Sequence, residues 1–542
     1  MSACVLKIHA DDNVAVVLSP LAAGVEFLPG YITRSPVPSK HKVVTKFVRQ
    51  TEPVVMYGVT VGRALRDLHV GERLNLADLV HETSAYSIRH EAHHQTWQPP
   101  NISEWSGIKF QGYHRSDGQV GTANYWIVVP MVFCENQNID TLRRAFEDEL
   151  GYSNISPYRQ QVAALAHAHR SGMSPPDTNI KTVPPKPLFE NVDGVQFLTH
   201  HLGCGGTRQD AQSLCGLLAG YINHPNVSGA TILSLGCENA EIDILMEEIH
   251  KRNPEFDKPL YIFRQQSFQS TDHLITRAIS DTFAGLQEAD LLQRAPASLS
   301  KLTIGLECGG SDGFSGISAN PAIGYATDLL VALGGRAILG EFPELCGQEQ
   351  ALIDRCTHPS VATRFVHLME SYAALANAVG SGFDMNPSPG NIQDGLLTDA
   401  MKSAGAARKG GTSLITAVLD YPEYATAPGL NLLCTPGGDV ESTTAIAGAG
   451  AQIILFSTGM GTPTGNPVAQ VIKVSSNTAL ATRIPDLVDL NAGTIINNQE
   501  SIESVGRRIL ELVITVANGD LVPAAVRLGQ KDFIPWKRGV SL

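Results

Sequence analysis

The pattern of hydrophobic and polar positions near the start of the chain has a period of two. Short apolar runs at Val14–Leu18, Val43–Phe47 and Val54–Tyr57 alternate with turns rich in Gly and Pro. Alternation bounded by such turn residues is typical of β-strands with one buried face. The sequence therefore predicts a small all-β module over residues 1–82.

The pattern changes after about residue 109, where strands alternate with helices. Six apolar runs of strand length each end in a polar or Gly-rich turn. They are Val195–His200, Ala230–Leu235, Lys301–Glu307, Arg336–Glu341, Gly429–Cys434 and Gln452–Ser457. Helical patterns follow the first two, at Arg208–Ile222 and Ala240–Lys251. This repetition predicts mainly parallel sheets covered on both faces, which bind ligands at the carboxyl ends of their strands.

Two changes of composition divide the chain. Residues 83–108 are polar and rich in His and Pro, and we interpret them as a linker. Its histidines, interpreted as solvated rather than as a metal site, are His90, His93 and His94. A second change near residues 285–300 separates a middle α/β domain, 109–298, from a C-terminal α/β domain, 299–542.

The charge and the cysteines restrict the function. A formal net charge of -13 argues against nucleic acid or an anionic membrane as a partner, because both require basic surfaces. The sequence shows no apolar leader, so we expect a cytoplasmic location. The nine cysteines are then expected to be reduced and to serve metal binding or catalysis rather than disulfides.

Four of these cysteines lie where a predicted strand gives way to a polar or Gly-rich turn. They are Cys134, Cys204, Cys237 and Cys308. Cysteine also ends buried strands simply as a small apolar residue, but four matching contexts favour a shared site. Thiolates suit iron, zinc or iron–sulfur clusters, whereas carboxylates suit harder ions such as Mg²⁺, Mn²⁺ or Fe²⁺. The carboxylates that could supply the harder ligands are Glu238, Glu307, Asp312, Glu341 and Glu344. The spacing alone does not choose between thiolate and carboxylate coordination.

Several common catalytic motifs are absent from the sequence, which excludes some classes of enzyme. The sequence contains no Walker loop, G-x-S-x-G elbow or H-E-x-x-H motif, which removes the common NTPase, α/β-hydrolase and zincin interpretations. The β module offers His9 and the Lys42 segment as groups able to move protons or hold a carboxylate. On these residues alone, ordinary solvated turns are the favoured interpretation.

With these segments collected, the chain resembles the altronate/galactarate dehydratase family of sugar-acid hydro-lyases from end to end. The matching segments are KIHADDNVAV, SKHKV, MYGVTVGRAL, FQGYHRSDGQVGTANYWIVVP, LGCEN, GLECGGSDGFSGISANP, EFPE, NPSPGN, PGGD, TGMGTP and KVSSN. The resemblance implies an α/β protein with an N-terminal β-clip module of the SAF type, a middle domain used for homodimerisation, and a C-terminal Rossmann-like domain.

The resemblance also implies an activity. The family removes water from an aldonic or aldaric acid, giving a 2-keto-3-deoxy acid, by abstraction of the alpha proton and loss of the 3-hydroxyl. A divalent metal takes part, expected here to be iron, as Fe²⁺ or an iron–sulfur cluster, or else Mn²⁺ or another divalent cation. The expected partner is therefore a small hydroxy-acid substrate.

Residues carried over from the family motifs form three expected sets. The acid–base set is His9, His41, Lys42, Glu238 and Glu307. The substrate-binding set is Asp12, Asn13, Asn239, Ser311, Asn320, Asn386 and Asn391. The metal-binding set is Cys204, Cys237, Cys308 and Asp312.

Several family positions are altered in this chain. The family's His-x-His-Asn run is replaced within Leu74–Asp78, and Ala123, Met401 and Met460 stand where the family has Arg, Glu and Arg. Losing such groups weakens the recognition of carboxylates and hydroxyls more than it weakens the fold. We therefore keep two alternatives: a related elimination on another 2-hydroxy acid, as in sulfolactate lyases, and a non-catalytic carboxylate-binding descendant.

Overall fold

A computed structural model describes residues 4–88, 97–152, 157–174 and 186–541 of the chain. The predicted linker histidines, His90, His93 and His94, lie outside the described residues. The chain forms two compact units. One combines Met1–Gly112 with Ala295–Trp536, and the other combines Tyr113–Arg294 with Lys537–Leu542.

The N-terminal module consists of short antiparallel strands. They are β1 (Val5–Leu6), β2 (Val14–Val17), β3 (Glu26–Leu28), β4 (Tyr31–Ile32), β5 (Lys42–Val44), β6 (Pro53–Met56), β7 (Val59–Ala64) and β8 (Leu79–Val80). They pair in the orders β1-β2-β5, β3-β4 and β6-β7-β8.

Strand β2 is buried on both faces, which explains its unbroken apolar sequence. Ala15 and Val17 face a core inside the module. Val14 and Val16 face a second core, which the module shares with Phe314, Ile317 and Met401 of the same unit. Because side chains alternate along a strand, one apolar strand can serve both cores.

The next strands along the chain are β9 (Lys109–His114), β10 (Val120–Gly121), β11 (Tyr125–Pro130), β12 (Gly194–Phe197), β13 (Val227–Ser234), β14 (Leu260–Arg264) and β15 (Arg294–Ser298). In the unit around residues 113–294, four of them form a parallel sheet in the order β12-β11-β13-β14. The helices are α1 (Asn136–Leu150), α2 (Pro157–Arg170), α3 (Arg208–Asn223), α4 (Ile242–Arg252) and α5 (Thr271–Ala289).

The core of this unit is built around Trp126 on β11, which is fully buried. A Cβ atom at Gly285 would lie 2.1 Å from the indole ring, and one at Gly229 would lie 2.4 Å from it. No side chain tolerates such a distance, so these two glycines make room for the indole.

The C-terminal part of the first unit contains a seven-stranded parallel sheet in the order β18-β19-β17-β16-β20-β21-β22. Its strands are β16 (Thr303–Cys308), β17 (Arg336–Leu339), β18 (Ile415–Leu419), β19 (Gly429–Leu433), β20 (Ile453–Thr458), β21 (Gln470–Ser475) and β22 (Leu490–Asn491). The helices are α6 (Ala319–Ala332), α7 (Glu349–Ile353), α8 (Pro359–Ala378), α9 (Pro389–Gln393), α10 (Asp399–Ala406), α11 (Asp439–Gly448), α12 (Thr478–Arg483), α13 (Ile502–Asn518) and α14 (Ala524–Arg527).

This architecture confirms the predicted fold class, an N-terminal module of small sheets followed by α/β structure with a mainly parallel C-terminal sheet. All residues of β16 and β20 are buried, as expected for strands covered on both faces. Of the described helices, none combines the length and the hydropathy needed to cross a membrane.

Candidate active site at the carboxyl edge of the seven-stranded sheet

The carboxyl ends of β16 and β17 bring a thiol and two carboxylates together. Cys308 is the last residue of β16. Glu341 follows β17 with a left-handed backbone (φ 60°), and Glu344 lies in the 3₁₀ helix Phe342–Leu345 that it opens. The hydroxyl of Thr435, after β19, accepts a hydrogen bond of 2.6 Å from the Glu341 amide and holds the turn in place.

Two lysines complete the set, which we call the Glu–Lys cluster: Cys308, Glu341, Glu344, Lys402 and Lys409. Lys402 Nζ lies 2.5 Å from Glu344 Oε1, and Lys409 Nζ lies 2.5 Å from Glu341 Oε2. Both side chains of the Lys409 pair are 1% exposed, so the pair is removed from water. Buried charges require such partners, because desolvating an unpaired ion costs several kcal/mol.

Each carboxylate turns its second oxygen toward the same sulfur. Cys308 Sγ lies 3.2 Å from Glu344 Oε2 and 3.7 Å from Glu341 Oε1. One ligand atom from each of these three residues therefore lies within 4.8 Å of the others. Each lysine pairs with one oxygen of a carboxylate. The other oxygen of Glu341, the other oxygen of Glu344 and the sulfur of Cys308 therefore lie around a common point.

The cluster separates the pKa values of its acidic groups. Burial, with the neighbouring charge of Glu344, raises the pKa of Glu341 to about 7. Burial would also raise the pKa of Glu344, but the ammonium groups of Lys402 and Lys409 outweigh it and lower that pKa. Burial and the two carboxylates raise the pKa of the Cys308 thiol well above its usual value. At neutral pH the cluster thus holds an ionised Glu344, a protonated thiol and a Glu341 near its midpoint.

Glu307 adds a protonated carboxyl beside this cluster. Its Oε2 accepts a hydrogen bond of 2.6 Å from the Ser442 hydroxyl, whereas its buried Oε1 has no hydrogen-bond partner among the described residues. Burial, followed by the charge of Glu341, raises the pKa of Glu307 well above its usual range. The environment therefore raises the pKa of both Glu307 and Glu341, as in sites where neighbouring carboxyls take different protonation states.

Asp312, expected to bind metal, is already fully engaged by protein donors. Its Oδ1 accepts from the Ser315 amide at 2.9 Å and from the Ser476 hydroxyl at 2.8 Å. Its Oδ2 accepts from the Asn477 amide at 3.0 Å and lies 3.1 Å from Lys40 Nζ. This carboxylate links a loop of the N-terminal module to the C-terminal sheet.

The segment around His41 and Lys42 packs against residues 393–395. Lys42 Nζ donates to the Gly395 carbonyl at 2.5 Å, and His41 Nε2 lies 3.0 Å from the Gln393 carbonyl. Burial lowers the pKa of Lys42 to about 7, and burial with the charges of Arg73 and Lys42 lowers that of His41 to about 4. At neutral pH His41 is therefore neutral and Lys42 is near its midpoint, but the polar atoms of both side chains lie against backbone carbonyls.

Two other expected residues of the N-terminal module, Asp12 and Asn13, accept hydrogen bonds from its backbone. Asp12 Oδ2 accepts from the His9 amide at 2.9 Å, and Asn13 Oδ1 accepts from the Val55 amide at 2.9 Å. The side chain of His9 is 52% exposed and lies 3.5 Å from Asp11. The structure thus brings none of these three side chains into the Glu–Lys cluster.

The asparagines expected to bind substrate lie nearer to the cluster, with one in contact with it. Asn386 Oδ1 accepts from Lys402 Nζ at 3.1 Å. Asn391 donates to the Ser311 carbonyl at 2.7 Å, and Asn320 donates to the Gly405 carbonyl at 3.0 Å. Asn391 and Asn320 therefore tie the site loops together.

Four expected residues belong to the other unit. Cys204 and Asn239 line one cleft of about 450 Å³, and Cys237, Glu238 and Asn239 line another of about 710 Å³. Glu238 accepts from the Ser234 hydroxyl at 2.5 Å and from the Cys237 amide at 2.9 Å, which shapes the turn after β13. In the described part of this unit, neither exposed thiol joins a group of three possible metal-ligating side chains.

Lys402 and Lys409 are the residues of the cluster that the sequence did not indicate, whereas Glu341 and Glu344 were possible oxygen ligands outside the three expected sets. The EFPE segment carried a signal for the two glutamates. Lys409 carried none, because basic residues before two glycines predict a solvated turn and its partner Glu341 lies 68 residues away in sequence.

The altered family positions lie in different parts of the structure. Leu74 and Met401 are fully buried in the core that the N-terminal module shares with the C-terminal part of its unit. Ala123 is buried in the other unit, where its amide donates to Asn226 Oδ1 at 3.2 Å. Met460 is half-buried, near the turn at Gly310 that follows Cys308. Apolar packing therefore accounts for Met401, whereas Leu74 directly precedes the replaced run and is not itself one of the replacements.

In comparison with known proteins, three family models match successive parts of the chain. The altronate/galactarate dehydratase SAF domain matches residues 3–82. The second domain of D-galactarate dehydratase/altronate hydrolase matches residues 112–290, and the C-terminal domain of D-galactarate/altronate dehydratase matches residues 299–541.

Individual relatives agree with these matches. The chain is 32% identical to altronate dehydratase of Bacillus subtilis, with 99% of each chain covered. It is 29% identical to galactarate dehydratase (L-threo-forming) of Escherichia coli, covering 95% of this chain and 92% of the relative. It is 28% identical to (2R)-sulfolactate sulfo-lyase subunit beta of Chromohalobacter salexigens, covering 80% of this chain and 98% of the relative.

Proposed function

Because the chain belongs to the D-galactarate/altronate dehydratase family of carbon–oxygen lyases, we propose that it dehydrates an altronate-like aldonate or an aldarate to the 2-keto-3-deoxy acid. The observation that carries this proposal is the Glu–Lys cluster at the carboxyl edge of the parallel sheet. It combines a base near its midpoint, a protonated acid and two buried cations.

The proton transfers follow from the pKa values of the two glutamates. Glu341, with a pKa of about 7, removes the proton alpha to the substrate carboxylate. The electrons of that C–H bond form a carbon–carbon double bond as the 3-hydroxyl leaves. Glu307 holds the proton that converts the leaving hydroxide into water, and the resulting enol ketonises to the 2-keto acid.

The lysines supply the charge stabilisation that this reaction needs. Removing a proton alpha to a carboxylate concentrates negative charge on that carboxylate, which pre-positioned cations stabilise. Lys402 is the more accessible of the two, with 10% of its side chain exposed, whereas that of Lys409 is 1% exposed. We therefore assign Lys402 to the substrate carboxylate and Lys409 to tuning Glu341.

The donor set fits a mononuclear divalent ion. Cys308 Sγ and Glu344 Oε2 would hold Fe²⁺ or Mn²⁺ beside Glu341, whose Oε1 stays free to accept the substrate proton, and when bound the ion would add positive charge at the substrate carboxylate. An iron–sulfur cluster usually requires four cysteine thiolates, and this set offers one. Metal binding would remove the proton from the Cys308 thiol, since only thiolates act as ligands.

The remaining expectations belong to the same proposal. We keep the division into 1–82, 83–108, 109–298 and 299–542, with the middle domain forming a homodimer in the cytoplasm. The acid–base roles of His9, His41, Lys42 and Glu238, and the metal roles of Cys204, Cys237 and Asp312, stay predictions from the resemblance.

The test is a substrate panel assayed with full-length protein purified without oxygen. Aldonates and aldarates are incubated with Fe²⁺ or Mn²⁺, and 2-keto acid formation is followed. We expect turnover of at least one acid, loss of turnover by at least about 100-fold in Glu341→Gln, and loss of bound iron in Cys308→Ser. Cys356→Ser, which changes a thiol outside the cluster, is the matched control.

The panel also separates the alternatives. The sulfolactate sulfo-lyase relative supports a related elimination on another 2-hydroxy acid, so sulfolactate is included. Turnover of sulfolactate alone would replace the dehydratase assignment. No product from any acid, together with metal-free protein, would favour the non-catalytic carboxylate-binding descendant. Unchanged iron in Cys308→Ser would contradict the thiolate ligand.

A further inference from the structure

We propose that His81, Cys346 and Asp399 form a second metal site, suited to Zn²⁺ or another borderline divalent transition metal, with an open fourth position. This site shares no ligand with the Glu–Lys cluster. One ligand atom from each of its three residues lies within 4.8 Å of the others.

The separation of imidazole and thiol suits a shared ion. His81 Nε2 lies 3.9 Å from Cys346 Sγ. Tetrahedral zinc, with bonds of about 2.3 Å to sulfur and about 2.0 Å to nitrogen, places the two ligand atoms about 3.6 Å apart. A shift of a few tenths of an ångström therefore brings both atoms to bonding distance.

The carboxylate of Asp399 gives an independent reason to expect a ligand. Asp399 is 0% exposed, and its buried Oδ2 makes no hydrogen bond of standard geometry to the described residues. The neighbouring Cys346 thiol interacts with this carboxylate. A buried carboxylate oxygen without a donor is costly, and a cation held between it, the thiol and the imidazole removes that cost.

The fold holds the three ligands from separate segments. His81 follows β8, which pairs with β7. Thr398, the N-cap of α10, donates from its hydroxyl to the Val61 carbonyl on β7 at 2.6 Å, and this places Asp399 at the start of the helix. One strand thus positions two of the three ligands.

Cys346 is held by the turn that follows it. Gly347 has φ +82°, and a Cβ at this position would lie 2.9 Å from Thr83 Cγ2. The turn after Cys346 therefore packs closely against the segment that begins at His81. A bound ion would connect the N-terminal module to the C-terminal part of its unit through residues 265 positions apart in sequence.

The ligand types determine which ion is expected. Thiolate and imidazole favour Zn²⁺ over Mg²⁺ or Ca²⁺, and a three-ligand site leaves one position for water. His81 is the half-buried member of the set, while Cys346 and Asp399 are buried, so the ion would enter past the imidazole.

The test uses full-length protein stripped of metal and then loaded with Zn²⁺ or Co²⁺. We expect wild type to retain one equivalent more than Cys346→Ser. Affinity at this site should fall at least 100-fold in that variant, because even outer-shell partners contribute about 10–100-fold. Thiolate-to-cobalt charge-transfer absorption should persist in Cys308→Ser and disappear in the double variant Cys308→Ser/Cys346→Ser. Cys356→Ser serves as the control thiol.

A second variant distinguishes the loss of a metal ligand from a folding defect. Asp399→Asn keeps the shape of the side chain and should also lose the extra equivalent while retaining its circular dichroism spectrum. Zn²⁺ should raise the thermal midpoint of wild type but not of either variant. The same zinc content in wild type, Cys346→Ser and Asp399→Asn would overturn this proposal, and would leave the dehydratase proposal standing, because 2-keto acid formation is measured separately.

Discussion

Lys409 Nζ lies 2.5 Å from Glu341 Oε2, and both side chains are 1% exposed. This pair sets the protonation of the proposed base. Burial raises the pKa of Glu341 to about 7, and the ammonium of Lys409 limits that rise. The lysine thus keeps a deeply buried carboxyl partly ionised at neutral pH.

The pH dependence of the dehydration follows from this value. A base acts in its deprotonated form, so kcat/KM should rise with pH and level off above about pH 7. Below that pH it should fall about tenfold per unit. The measurement is a pH–rate profile with the best panel substrate. A profile that is flat from pH 6 to 8 would assign the base to another group.

Replacing Lys409 by Met should move that profile to higher pH and destabilise the protein. Removing one partner of a buried ion pair typically costs about 3–5 kcal/mol, because the other charge is left unpaired. The double variant Lys409→Met/Glu341→Gln, which removes both charges, should recover much of this stability in urea unfolding. Lys301→Met, at an exposed lysine of the same unit, is the control. A single variant as stable as wild type would show that the pair contributes little.

The burial of His41 predicts a loss of stability in acid. Burial, with the charges of Arg73 and Lys42, lowers the folded-state pKa of His41 to about 4, below the ordinary 6.5. Between these values the unfolded chain binds a proton that the folded chain does not, so stability falls as pH falls from 6.5 toward 4. The urea midpoint should drop less over this range in His41→Asn than in wild type. In His69→Asn, an exposed histidine of the same module, the drop should match wild type.

Gly285→Ala should destabilise the unit that contains Trp126. The added Cβ would lie 2.1 Å from the fully buried indole, and overpacking of this kind costs about 1–3 kcal/mol. Gly206→Ala is the matched control, since its Cβ would meet nothing closer than 3.7 Å. Thermal unfolding followed by tryptophan fluorescence makes the comparison. Equal midpoints for the two variants would show that the indole moves aside freely.

Much of the fold was predictable because its strands are buried on both faces. Lys301–Glu307 and Gln452–Ser457 were predicted as strands, and the structure has Thr303–Cys308 and Ile453–Thr458. Val43–Phe47 was predicted as a strand, whereas the strand ends at Val44. Continuous apolar runs reveal core strands, but the ends of short antiparallel strands depend on partners distant in sequence.

The candidate site was predictable only in part, for a different physical reason. Motif residues such as Asp12 and Asn13 have the chemistry of a binding site, yet their side chains bind nearby backbone, as Asp and Asn commonly do in turns. Lys409 was missed because a buried lysine is recognisable only once the carboxylate that neutralises it is in place. Sequence identifies the residue types, and the fold decides which of them meet.

The core that β2 shares with Phe314, Ile317 and Met401 has a consequence for how the protein is assembled. A module whose core is complete by itself behaves as an independent folding unit and can be excised. A module whose core is completed by residues of another segment cannot. Five of the sixteen buried residues of this core come from the C-terminal part of the unit, so residues 1–82 expressed alone would expose the side of the core that those five cover. The N-terminal module is therefore a cooperative part of the C-terminal domain, and the two should gain and lose their structure in a single transition.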